Sequence, residues 1–134
     1  MSAVEREVLT SPPGGPRHGK GMVPGIKAGG FLFFSAIRGN DPATGQWSDD
    51  TSVQARQALE NLKSLLEAAG ATLKHVVKVT LYLHELKYRA AFHEVWMEYF
   101  PEDPPARIAI RVADANASER GNAHFALDVI ALAP

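Results

Sequence analysis

The sequence predicts an α+β fold: two helices on one face of a mixed sheet, in the order β-β-α-β-α-β-β. Three observations carry the element order. Apolar residues recur at three-and-four spacing around 55–69 and 88–100, the period of a helix with one buried face. They alternate with period two around 76–83, 107–112 and 123–132, the period of a strand. "IKAGGFLFFSAI", residues 26–37, reads as two short extended runs about a glycine pair, a hairpin.

Residues 1–25 are expected to be an irregular N-terminal arm, because "SPPGGPRHGKGMVPG" concentrates glycine and proline; residues 26–134 form the domain. After the hairpin, "GNDPATGQWSDD" is a turn-rich loop built on Asp41-Pro42 and Thr44-Gly45. Thr51 and Gln54 have capping-box spacing at the start of the first helix, and Gly70 supplies its left-handed stop. In "HVVKVTLYL", Val77, Val79, Leu81 and Leu83 share one face of a strand. The second helix buries Phe92, Val95, Trp96, Tyr99 and Phe100 and stops at Pro101. Strands Arg107–Val112 and Ala123–Leu132 close the chain.

At 134 residues the chain is long enough for one core without covalent staples. It has no cysteine, which removes disulfides and thiolate metal sites and fits a reducing, cytoplasmic setting. No apolar run approaches the roughly 20 residues of a membrane span, and the N-terminus lacks a signal-peptide core. Fourteen basic residues against 15 acidic ones make no general polyanion-binding track, so nucleic acid is an unfavoured partner.

Familiar site motifs fail on inspection. "GGPRHGK", residues 14–20, matches half of a phosphate-binding loop, but Gly21 stands where a Ser or Thr should meet the metal and Pro24 follows where a helix must begin. "HEVWM", residues 93–97, begins like a zinc-protease helix but has Met97 in place of the second histidine. Ser35 has no G-x-S-x-G elbow around it. Neither a metal nor a cofactor is expected.

Arg107, in "PPARIAIRV", is the residue that stands out, a cation at the mouth of a half-buried strand. Alternation sets Arg107, Ala109 and Arg111 against Ile108, Ile110 and Val112. The isoleucine set is expected to meet the helices. Pairing with the last strand would then gather Arg107, Arg111, His124 and Asp128 on the opposite face, floored by Ala109 and Ala126. On residues alone two readings stand: an Arg-Asp pair stabilising the sheet or a subunit contact, and a guanidinium fork that holds a carboxylate. That opposite face, with Ala109, Ala126, Ile130 and Tyr82, is too apolar to stay wet, and another subunit is its simplest cover.

Taken together, "DPATG", "QALENLKSLLEAAGATLKHVVKVTLYL" and "EYFPEDPPAR" resemble the YjgF / RidA family of reactive-intermediate deaminases, over about Ile26 to Ala131. The resemblance implies a chorismate-mutase-like subunit, a homotrimer with ligand clefts between subunits, and hydrolysis of enamine or imine acids such as 2-aminoacrylate to a keto acid and ammonia. It also places the family's carboxylate-binding arginine on Arg107 within "PPAR".

The chain departs from that pattern in its cleft. The family's glutamate on the last strand aligns with Ala126; Asp128 is the next acidic position on the same face, about 6 to 7 Å along the strand. A cleft-closing tyrosine aligns with Met22. The usual "SGQ" is "SAI", which keeps Ser35 but puts Ala36 and Ile37 in place of glycine and glutamine, and Arg38 follows where the family is usually apolar. Arg107, Asp128 and His124 are therefore the catalytic candidates, and Arg107, Ser35, Met22, Ala36, Ala109 and Ala126 the substrate-binding ones. The functional expectation is a deaminase with an altered cleft; the alternatives are a silent trimer that binds a small carboxylate as sensor or scavenger and, last, an endoribonuclease.

Overall fold

A computed structural model describes residues 4–116 and 121–134; the first three residues of the expected arm lie outside them. Its elements in chain order are β1 (Glu7–Val8), β2 (Gly25–Ala28), β3 (Phe31–Phe34), α1 (Thr51–Ala68), β4 (Val76–Leu83), α2 (Arg89–Tyr99), β5 (Ala106–Arg111) and β6 (Phe125–Leu132). They form the expected two helices on a mixed sheet, with one strand more than expected: the arm is not wholly irregular, because Val8 and Glu7 pair with Ile26 and Lys27.

The sheet order is β1-β2-β3-β6-β4-β5. All neighbours are antiparallel except β4 and β5, which run parallel because α2 crosses over between them. β5 is thus an edge strand beside β4. It does not pair with β6, as the sequence reading had it. The β2–β3 hairpin turns through Gly29 and Gly30, both at positive φ (58° and 86°), a conformation that a side chain would strain.

The core lies between sheet and helices. Leu59, Leu62 and Leu66 of α1 and Phe92 of α2 meet Leu32, Val79, Leu81, Leu83, Phe125, Leu127 and Val129, all fully buried. Phe92 stacks edge-on against Phe125 at 4.8 Å. β6 presents the expected face, and so do Val79, Leu81 and Leu83 of β4, but Val77 is exposed and Val76 is buried instead, because the pairing register shifts between Val76 and Lys78.

β5 turns the other way. In its register Arg107, Ala109 and Arg111 lie opposite Val79, Leu81 and Leu83 and so share the helix side of the sheet. Ile108 and Ile110, 49% and 41% exposed, stand on the open face beside Thr80 and Tyr82. The expected orientation is therefore reversed. At the sheet edge the helix layer offers His93 and Trp96 of α2, which receive a guanidinium, while the isoleucines are left on the far side. There they join Phe33 (43% exposed), Ile130 and Leu132 in an apolar face that no segment of the described chain covers.

α1 begins one residue earlier than the capping-box reading implies. Asp50 is the cap, its Oδ1 accepting from the backbone N–H of Ser52 (2.8 Å) and of Val53 (3.2 Å). Thr51 and Gln54 are thereby free for long-range bonds.

Candidate functional site

Three long-range anchors shape the region where α1 begins. Gln54, fully buried, donates to the carbonyls of Ser48 and Asn122, both at 2.7 Å, and accepts from the His124 N–H at 3.0 Å. Asn61, about two turns further on, donates to the carbonyls of Arg38 and Asn40 at 2.9 and 3.1 Å. Gly39 lets that segment lie directly on the helix, since a Cβ there would fall 2.2 Å from the Gln54 carbonyl oxygen. Segment 35–40 is thus pinned against α1 on one side. On the other, Ile37 exchanges both backbone bonds with Leu127 of β6 (2.9 and 2.8 Å).

The arm then folds back over this segment and encloses a cavity of about 430 Å³. Met22, Ser35 and Ala36, three of the expected binding residues, line it together. The Ser35 hydroxyl donates to the Val23 carbonyl at 2.6 Å, which ties the arm to β3's end and leaves the oxygen's lone pairs as acceptors. Ala36 does not sit in a strained conformation: the one non-glycine at positive φ among the described residues is Asp103. Arg38 also lines the cavity, its Nε donating to the Ala115 carbonyl at 2.7 Å. Burial draws its guanidinium below the ordinary arginine range, and Asp114 nearby partly offsets that.

The remaining expected residues are dispersed. Arg107 lies on the helix side at the β5 edge, its guanidinium 4.8 Å from the centre of the Trp96 ring and its Nη2 3.0 Å from His93 Nδ1. An arginine only donates, so that imidazole nitrogen accepts. Arg107 Nη1 is buried with no partner, and no carboxylate pairs with this side chain among the described residues. Burial, with repulsion from Arg89, draws its pKa down from the usual arginine value. The Arg107–Asp128 pair considered from sequence is not formed: Asp128 is exposed on the open face opposite Thr80, across the sheet. Ala109, expected as a floor beside Ala126, packs instead against the main core.

Ala126 does face away from the helices, opposite Tyr82, but it is buried and packs with Ala115 and Ala123 beneath Trp47 and Tyr82. His124 does not project with Ala126 and Asp128. Its ring stacks on Tyr88 at 3.9 Å and 4°, and its Nδ1 is 2.8 Å from the Thr51 hydroxyl. It is a buried bracket between β6 and the start of α1. Among the described residues no group of three His, Cys, Asp or Glu side chains is placed to hold a metal ion, and no helix is long and apolar enough to cross a membrane.

Sequence reasoning missed Asn61, Gly39, Trp47 and the arm residues Arg17 and His18 as parts of this site. Asn61 had a signal: an amide between Leu59 and Leu62 in an otherwise apolar stripe needs buried partners. The arm residues had none, because nothing local dictates where a glycine-rich segment folds back.

A family model described as Endoribonuclease L-PSP matches residues 17–132. The chain is 48% identical over 89 residues to a RutC family protein of Pyrococcus horikoshii, an alignment spanning 66% of this chain and 71% of that protein. It is 36% identical over 94 residues to the 2-iminobutanoate/2-iminopropanoate deaminase of Salmonella typhimurium, spanning 68% of this chain and 73% of the enzyme. The crystal structure of RidA from an Antarctic Psychrobacter superposes with a TM-score of 0.83 at 29% identity, covering 94% of this chain and 99% of that one. The YjgF gene product of E. coli gives 0.83 at 25% identity, covering 96% and 100%.

Proposed function

The chain belongs to the Endoribonuclease L-PSP family, the family of the YjgF and RidA proteins, and from that premise we propose that it hydrolyses small enamine or imine carboxylic acids of the 2-aminoacrylate type to a 2-keto acid and ammonia. Arg107 is the observation that carries this reading. A half-buried guanidinium with one terminal nitrogen on His93, the other without a partner and no acid beside it among the described residues, over an aromatic face, supports reading it as the holder of a carboxylate from outside the chain.

In this reading the enamine first takes a proton on carbon and becomes the imine. Water adds to the C=N carbon, the nitrogen is protonated, and the C–N bond breaks to release ammonia as the carbonyl forms. Arg107 fixes the carboxylate and so the position of the neighbouring carbon. Asp128 is the acid on the open face that would accept the water's proton. Arg107 and Asp128 lie on opposite sides of one sheet, so a substrate that meets both lies between two copies. The uncovered apolar face supports the same assembly, a homotrimer with clefts between subunits.

One observation favours a second reading, a trimer that binds a small keto acid without turning it over. The position that resemblance assigns to a water-handling glutamate carries the buried methyl of Ala126, and a methyl group neither orients nor deprotonates water. Ammonia release from freshly generated 2-aminoacrylate separates the two. Turnover above the uncatalysed rate that falls about tenfold or more in Arg107→Lys and in Asp128→Asn supports the enzyme. Background turnover with keto-acid binding that is lost in Arg107→Lys supports the binder. Turnover untouched by either substitution would remove Arg107 from the chemistry.

A further inference from the structure

The cavity under the N-terminal arm has a charge pattern that the proposed reaction does not use. Arg17, His18 and Arg38 all line it, and among the described residues no Asp or Glu does. The motif-like "PRHGK" stretch thus has a role in the fold: it brings one guanidinium to the mouth of a pocket whose wall holds another.

Both arginines lack an ion-pair partner among the described residues. Among the described residues Arg38 is engaged only through its Nε, on the Ala115 carbonyl, and its two terminal nitrogens form a fork with no partner there. Asp114, whose charge is felt at Arg38, forms no ion pair with it; its Oδ1 accepts from the backbone and side-chain nitrogens of Asn116, both at 2.8 Å. His18 lines the cavity, and its buried Nδ1 has no hydrogen-bond partner among the described residues, an exception to the rule that buried polar atoms are paired. The fork is also held in place, because Asn61 grips the Arg38 and Asn40 carbonyls from α1. Trp47 and Met22 give the same space an apolar wall.

We propose that this cavity is a second acid-binding subsite, in which Arg38, assisted by Arg17 and His18, receives the distal carboxylate of a dicarboxylic substrate. The proposal rests on the reading of Arg107 given above. With the first carboxylate held by Arg107 of a neighbouring copy, the far end of the molecule is free to enter the cavity, and its methylene chain passes Trp47 and Met22. The preferred substrates would then be imino acids with an acidic side chain, not the short monocarboxylic ones.

The test is calorimetric titration of the intact protein with 2-oxoglutarate and with 2-oxobutanoate, which share the keto-acid head and differ in the distal carboxylate. Charge-assisted bonds of this kind are expected to favour 2-oxoglutarate by about tenfold or more, less at high salt. Arg38→Gln should erase that preference. Arg17→Gln, at an exposed rim position where folding is not at issue, should reduce it several-fold. Equal affinity for the two acids, or a preference that survives both substitutions, overturns the subsite. A 2-oxoglutarate preference that depends on Arg38 but ignores Arg107→Lys keeps the subsite and sinks the reading of Arg107. If neither acid binds, both fall.

Discussion

β6 and β5 are two alternating strands separated in the sheet only by β4, yet alternation meant different things in each. In β6 the large apolar set, Phe125, Leu127 and Val129, is the buried set. In β5 the large apolar set, Ile108 and Ile110, stands on the open face while Arg107, Ala109 and Arg111 turn toward the helices. Period-two patterning establishes that a strand has two different faces. It identifies the inner face only where the other one is left to water. The edge strand of a sheet that presents a second apolar surface breaks that condition, and the inversion is itself a sign that the outer surface is meant to be covered.

Substitutions on the two strands should therefore be read out differently. Leu127→Ala in β6 opens a cavity inside the chain's own core and should lower unfolding free energy by about 2 to 5 kcal/mol, measured by urea denaturation. A loss within about 0.5 kcal/mol would mean that β6 is not the centre of the core. Ile110→Asp in β5 removes nothing from that core. Its expected effect is on mass: light scattering should fall from three chain masses toward one while the far-UV circular dichroism is kept. A wild-type chain that is already monomeric would sink the covered-face account. A variant that unfolds outright would show that Ile110 supports its own chain.

The same contrast explains how much could be read in advance. Helix and strand periods placed α1, β4, α2 and β6, because each has one core-facing side set by short-range spacing. β1 escaped notice since two residues, Glu7 and Val8, are strand only by virtue of their partners Lys27 and Ile26. The Thr51–Gln54 capping box misled for a related reason. Asp50 supplies the local cap, so both side chains serve distant partners: His124 for Thr51, and Ser48, Asn122 and the His124 backbone for Gln54. Ser35, Ala36 and Met22 do come together, but the candidates on β5 and β6 scatter, because the parallel β4–β5 pairing set by α2 decides their faces and no spacing within either strand encodes it.

His124 offers the smallest and most specific test of this contrast between local pattern and tertiary placement. By alternation it belonged beside Asp128 as a proton carrier; in the fold its ring is stacked on Tyr88 and bonded to Thr51. Burial lowers its pKa from 6.5; Asp49, the largest of the charge effects, opposes this together with Asp50, while His84 and Lys87 add to it. The folded chain thus disfavours the charged ring, whereas the unfolded chain protonates normally. Below about pH 6.5 the unfolded state binds more protons, so the stability His124 contributes is present above that pH and is lost as pH falls toward its lowered folded-state pKa. His18, whose pKa burial also lowers, adds a slope of the same sign. The informative quantity is therefore the difference between the natural protein and His124→Gln, followed by urea denaturation from pH 7.5 to 5.5. The natural protein should lose more stability across that interval than the variant does, by less than the Leu127→Ala loss. Parallel pH dependence in the two proteins would mean that the ring titrates as freely when folded as when unfolded, and would restore His124 as a candidate to carry protons.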